Sequence, residues 1–350
     1  MKVISYAIFI FLLFVYQSAA PANSRASGNE TLPGDTLSTN QLINRFKDIG
    51  TVNSLLVQIN GDILIEEYFG QMNARRTNNI KSASKSILSL LTGIAIEEGF
   101  LKSTDQKINE FFPDYFKTNP DSVKESITIK DLLTMRTGLE TTSFHNYGRW
   151  AISSNWIHFA LDQPLEDSPG GRMIYSTGTT HLLSAILTKA TGMSTRDFAI
   201  RYLFGPMDIQ PGGWDRGPQG YYMGGNNMAL RPGDMLKIGQ MVMDMGTYNG
   251  RQIVPREWII DSFKIYTRSN YNPYDYGYLW WRRKTAGYHV AFAWGNGGQY
   301  ILMIPELESV IAVTSDNYGG NGSRRYQRDM FDWLGEHMIP FLEKRYEDDE

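Results

Sequence analysis

Hydrophobic and polar positions divide this chain into zones with different periods. An apolar run from Val3 to Tyr16, broken only by Ser5, follows Lys2 and precedes the small residues Ser18, Ala19, Ala20, Pro21 and Ala22. A charged start, a brief apolar stretch and a small-residue exit describe a secretory signal peptide over 1–22, and spanning a bilayer takes ~20 apolar residues. Residues 23–40 are rich in Ser, Gly, Asn, Thr and Pro and read as a flexible leader. Two β-type runs follow, Ser54–Gln58 and Ile63–Tyr68, with the hairpin signal Asn60-Gly61 between them. Ile87, Leu90, Leu91 and Ile94 then fall at helical spacing, which predicts a helix from near Ser82 to Gly99.

From Ile127 to about Gly250 the pattern is mainly helical, with pieces such as Ile129–Met135, Ser154–Leu161 and His181–Thr191 separated by Gly and Pro turns. Strands return at His289–Trp294, Gln299–Ile304 and Ser309–Ser315. Arg324–Glu347 closes as an amphipathic helix with Met330, Trp333, Leu334, Met338 and Phe341 on one side. The expected architecture is a mixed α/β (α+β) fold: an antiparallel sheet from both termini, flanked by helices, with an inserted all-helical lobe. A single catalytic domain would cover 41–350, its α/β part at about 41–100 and 251–350 and its helical lobe at about 101–250.

Composition narrows the chemistry. The 350 residues are 42% apolar and 20% charged, with a net charge of −3, so nothing suggests the basic face that a nucleic-acid partner would need. There is no cysteine, which excludes disulfides, thiolate catalysis and Cys-based zinc sites. No His-Glu-x-x-His or Gly-x-Ser-x-Gly segment occurs, and the five histidines (His145, His158, His181, His289, His337) are scattered and read as structural. Neither a metal nor another cofactor is implied. Asn29-Glu30-Thr31 and Asn321-Gly322-Ser323 match the glycosylation sequon, which matters only in a eukaryotic host.

The segment Lys81-Ser82-Ala83-Ser84-Lys85-Ser86 carries candidate chemistry. Residues three apart on a helix share a face, so Ser82 and Lys85 point together. A serine hydroxyl becomes a useful nucleophile when a neighbour removes its proton, and a buried lysine, its pKa lowered by desolvation, can do so. Ser-x-x-Lys alone also fits an N-capping serine beside a surface lysine.

Other segments change those odds. Gln58-Ile59-Asn60-Gly61, Ser82-Ala83-Ser84-Lys85-Ser86, Ala95-Ile96-Glu97-Glu98-Gly99, the run from Ile129 to Leu139, Pro169-Gly170, Tyr175-Ser176-Thr177-Gly178 and Trp294-Gly295-Asn296-Gly297-Gly298-Gln299 occur in an order that resembles the β-lactamase-related serine hydrolases. That family holds class C β-lactamases, penicillin-binding proteins, D-alanyl-D-alanine carboxypeptidases and related esterases and amidases. The resemblance implies a Ser82 nucleophile with Lys85, and Tyr175 acting as, or with, the general base and protonating the leaving group, its phenol drawn toward neutral pH by the Lys85 ammonium. It implies an oxyanion hole from the backbone N–H groups of Ser82 and Gln299, and a substrate strand at Asn296, Gly297 and Gly298 whose glycines admit close approach.

Two departures narrow the reading. Thr177 stands where the family usually has Asn, and Asn296 where β-lactamases carry Lys or His. A neutral Asn cannot give a substrate carboxylate a charge-assisted hydrogen bond. The expectation is therefore an exported (periplasmic or secreted) esterase or amidase, like the group that cleaves 6-aminohexanoate dimers, acting on a small ester, amide or short peptide without stable membrane insertion once the signal is removed. The alternatives are a true class C β-lactamase or D-alanyl-D-alanine carboxypeptidase, and a non-catalytic penicillin-binding sensor. Tyr147 is expected to line the substrate site, and the loop from Thr141 to Trp150 (with Phe144, His145, Asn146 and Trp150), the loop Gly224-Gly225-Asn226-Asn227 and the aromatics Tyr276, Tyr278, Trp280 and Trp281 are candidates to border it.

Overall fold

The computed structural model describes residues 37–317 and 320–349. The signal peptide, most of the leader and the Asn29 sequon lie outside the described residues. The chain enters through α1 (Thr39–Asp48), which the leader reading overlaps by two residues. Ser38 starts this helix with a capping box closed by Gln41, and the helix buries Leu42 and Phe46.

Eight antiparallel strands form one sheet: β1 (Val52–Ile59), β2 (Asp62–Tyr68), β3 (Thr267–Arg268), β4 (Asp275–Tyr276), β5 (Trp281–Thr285), β6 (Tyr288–Gly295), β7 (Gln299–Ile304) and β8 (Ser309–Ser315), in the spatial order β2-β1-β8-β7-β6-β5-β4-β3. Asn60 and Gly61 take φ 51° and 86°, the mirror-image turn that matches strand twist. Every residue of β7 and β8 is buried, so both read as continuous apolar runs rather than as alternation.

Four long helices complete the frame: α2 (Ser84–Glu97), α3 (Thr177–Thr191), α4 (Pro232–Met243) and α5 (Gly320–Trp333). A single π-type turn, Leu334–Met338, lies between α5 and α6 (Ile339–Asp349), so the expected terminal helix runs on through one widened turn. Phe46 of α1 meets Trp333 of α5 at 4.8 Å between ring centroids, which ties the two ends together. Most of the segment between α2 and α4 is short helices and turns, as the lobe reading expects, but α4 packs across β1, β7 and β8 and belongs to the sheet. Its buried Met235, Leu236, Ile238, Met241 and Val242 explain why.

Residues Ser84–Ala95 of α2 are buried all round. A helix with this exposure is a central core element. Burying a Leu or Ile stabilises by roughly 1.5–3 kcal/mol, whereas burying an amine is unfavourable. The single lysine inside α2 is therefore the feature that packing alone does not account for.

Candidate active site

Ser82 sits in the 3₁₀ turn Lys81–Ala83, which leads into α2 and packs on β6 and β7. Lys81 holds φ 51°, an unusual value for a non-glycine residue, and so bends the backbone just before the serine. The bend is pinned on both sides. Ile80 N donates to Met228 O (2.9 Å), Lys81 N to Asn79 Oδ1 (2.9 Å), and Ser84 Oγ to Lys81 O (2.7 Å). Strain held by surrounding bonds is common at functional positions.

Lys85, one turn on, is 1% exposed. Its ammonium donates to Ser82 Oγ (3.2 Å), Thr177 Oγ1 (3.3 Å) and Gly225 O (2.6 Å). All three acceptors are neutral. Burial lowers the Lys85 pKa to about 7, so both protonation states are populated near neutrality. Gly225 is required for this seat. It takes φ 87°, and a Cβ there would lie 2.6 Å from Lys85 Cγ and 2.4 Å from Thr180 Oγ1.

Tyr175 comes from distant sequence, immediately before Ser176, the N-cap of α3. Its phenol hydrogen-bonds with Ser82. The Lys85 ammonium lies 5.1 Å from the centre of its ring, and the ring stacks on Trp281 at 5.8 Å. The hydroxyl, the amine and the phenol therefore converge. The phenol pKa differs from the sequence expectation. Burial raises it, opposed by the Ser82 hydrogen bond, and the ammonium faces the ring rather than drawing the proton off. The phenol stays protonated at neutral pH.

The remaining expected site residues divide. Thr177 occupies the Asn position with one hydroxyl, which meets both Lys85 and Ser143 Oγ (2.9 Å). Tyr147 accepts from Asn226 Nδ2 (2.9 Å), so the Gly224–Asn227 loop reaches its ring. Asn296 is exposed at the turn between β6 and β7. Gly297 and Gly298 form that turn with φ 85° and 97°, but a Cβ on Gly298 would meet the Tyr326 ring at 2.3 Å, on the side of α5. The close approach to the Ser82 turn is made by Gly295 instead, where a Cβ would lie 2.1 Å from Ile80 O. Gln299 pairs across the hairpin with Gly295 and is fully buried, its side-chain carbonyl accepting from Asn78 Nδ2 (2.7 Å). Tyr278 and Trp280 are core residues, because β4, β5 and their connection turn them inward, and Tyr276, also buried, meets Trp281 edge-on at 4.5 Å behind the Tyr175 stack. Trp281 alone of the four stacks on Tyr175.

Ser143 and the Gly225 carbonyl lie in loops that the sequence offers only as candidate borders, without their roles at Lys85 and Thr177, and His181, expected to be structural, is the contributor without a site signal. His181 Nδ1 accepts from Gly224 N (3.2 Å), and its ring lies between Trp150 and Trp156 at 5.7 and 5.2 Å. Burial lowers its pKa to about 3, so it is neutral and fixes the loop that seats Lys85. Among the described residues, no group of three His, Cys, Asp or Glu side chains is placed to hold a metal. No helix among them is long and apolar enough to cross a membrane.

With this geometry in hand, comparison with known proteins is decisive at the level of family. The family model described as Beta-lactamase matches residues 40–330. The chain belongs to the beta-lactamase family. Within it, the 6-aminohexanoate-dimer hydrolase of Paenarthrobacter ureafaciens is 22% identical over 293 residues, covering 75% of this chain and 72% of that one. Among solved structures, EstCE1, a hydrolase with promiscuous acyltransferase activity, superposes with a TM-score of 0.70 at 15% identity, covering 84% of this chain and 98% of that one. The octameric penicillin-binding protein homologue from Pyrococcus abyssi gives 0.67 at 19% identity, covering 86% and 78%. The mixed antiparallel sheet with flanking helices is the fold of these neighbours, and this family member is similar to 6-aminohexanoate-dimer hydrolase.

Proposed function

We propose that this beta-lactamase-family protein is an exported serine hydrolase of small esters or amides. The observation that carries this reading is a fully buried lysine with neutral partners, 3.2 Å from Ser82 Oγ. A neutral Lys85 takes the Ser82 proton as Oγ attacks the carbonyl carbon, and the Tyr175 phenol delivers a proton to the departing oxygen or nitrogen. Tyr175 is then reprotonated from Lys85, and water releases the acyl group by the reverse relay.

The oxyanion rests on the Ser82 N–H and a second backbone amide. The resemblance points to Gln299, but the close packing of Gly295 on Ile80 favours the next amide, that of Asn296, and Gln299 then serves to hold the hairpin. Losing one such donor typically costs ~2.7–4 kcal/mol in the barrier. Neutral Asn296 and Thr177 favour an uncharged ester or linear amide over a β-lactam carboxylate. Export rests on the signal-like N-terminus and is checked by sequencing the N-terminus of the mature protein, expected after Ala22. The function is tested with p-nitrophenyl esters, 6-aminohexanoate dimer, a D-Ala-D-Ala peptide and the chromogenic cephalosporin nitrocefin, using wild type and Ser82→Ala. Ester or linear-amide turnover that Ser82→Ala abolishes supports the reading, and turnover unchanged in that variant refutes it.

A further inference from the structure

Beside the phenol stands an aromatic pair that the proposed chemistry does not use. Phe144 begins the 3₁₀ turn Phe144–Asn146 with φ 52° and is 61% exposed. Bulky residues rarely adopt this backbone region, and large aromatic side chains are usually sheltered. Polar anchors keep the turn in place: Asn146 Nδ2 donates to Thr141 O (3.0 Å), Ser143 N to Thr141 Oγ1 (2.9 Å), and Thr177 N to Ser143 Oγ (2.9 Å). The Ser143 hydroxyl reaches Lys85 through Thr177, and the Thr141 hydroxyl donates to Tyr175 O (2.6 Å), so the turn is built onto the catalytic cluster.

Tyr271, 47% exposed, meets Phe144 at 5.3 Å between ring centroids, and Phe144 lies 6.2 Å from the Tyr175 ring. The Tyr271 hydroxyl also accepts from Tyr175 N (3.3 Å). The charges felt at Tyr271 come from Arg172 and Glu166, opposite in sign and paired with each other at 2.6 Å, and Arg172 also lies 3.8 Å from Asp167. The lip is thus aromatic, uncharged in its own two side chains and solvent-facing, and it overhangs the residue that protonates the leaving group.

We propose that Phe144 and Tyr271 form a leaving-group subsite that selects uncharged aryl and arylalkyl alcohols or amines. This rests on the hydrolase reading. In the step it serves, the Ser82 Oγ–carbon bond forms and the bond from that carbon to the alcohol oxygen breaks. The alcohol leaves with the Tyr175 proton, and Lys85 returns to Tyr175 the proton taken from Ser82. The departing group must sit beside Tyr175 to receive that proton, where Phe144 and Tyr271 can cover an aromatic ring edge or face.

Benzyl acetate and methyl acetate test the subsite, because they share an acyl group and their alcohols leave with similar basicity. Hydrolysis is followed by pH-stat. Wild type is expected to favour the benzyl ester by about tenfold in kcat/KM, within the range one apolar contact supplies. Phe144→Ala and Tyr271→Ala should each lower that ratio several-fold, through KM for the benzyl ester, while Phe144→Tyr retains it. Hydrolysis of both esters with a ratio unmoved by Phe144→Ala and Tyr271→Ala overturns the subsite alone. Absence of Ser82-dependent hydrolysis of either ester overturns the subsite alone if the p-nitrophenyl esters or 6-aminohexanoate dimer are still turned over by Ser82, and overturns the hydrolase reading with it if they are not.

Discussion

Lys85→Met isolates the energetic consequence of placing an amine in the core. Lysine in an unfolded chain has a pKa near 10.5, and burial brings Lys85 to about 7. Between those values the unfolded chain holds a proton that the folded chain lacks, so stability rises with pH there. At one pKa unit per ~1.4 kcal/mol, the buried amine destabilises the fold by about 4 kcal/mol at pH 7 and about 2 kcal/mol at pH 9. Methionine keeps the length and removes the charge, but leaves the Gly225 carbonyl without the ammonium donor, a loss of roughly 2 kcal/mol. The variant should therefore exceed wild type in stability by about 2 kcal/mol at pH 7 and match it near pH 9. Urea unfolding of both proteins at the two pH values measures the difference, and pH effects of other groups cancel in it. A Lys85→Met protein less stable than wild type at pH 7, or a gap that does not close by pH 9, would refute the reasoning. Turnover should vanish in the same variant, a trade of stability for function.

Tyr175→Phe keeps the stack on Trp281 and removes the hydroxyl that meets Ser82. Its kcat should fall ~10²–10⁴-fold, the range for one proton-transfer group, with a melting temperature close to wild type. Gly225→Ala forces a Cβ to 2.6 Å from Lys85 Cγ at φ 87°. It should lower kcat/KM by at least about 100-fold and destabilise by more than ~1 kcal/mol, read by ester hydrolysis and urea unfolding.

The sheet is legible in the sequence where its strands are central. β7 and β8 are buried on both faces and read as unbroken apolar runs, and Asn60-Gly61 marks the first hairpin by the backbone angles it needs. The edge strand β3 and its neighbour β4 hold two residues each, too few for a period to show. Helix α1 hides behind a polar leader because its two core residues, Leu42 and Phe46, are the only buried ones. At the site, the three-residue spacing brings Ser82 and Lys85 together, while Tyr175 depends on long-range folding and is readable only through family likeness. The Gly225 carbonyl carries no side-chain signal, and Gly295 and Gln299 share one glycine-rich turn in which only packing tells which backbone faces Ser82.

The most direct measurement is the rate at which a fluorophosphonate labels the protein across pH 5–9, with the adduct mapped by peptide mass spectrometry. One adduct on Ser82 is expected, forming at a rate that climbs through pH about 7 as Lys85 loses its proton and that is lost in Lys85→Met. An adduct on another residue, or a Ser82 rate that is flat through neutrality and survives Lys85→Met, would contradict the account.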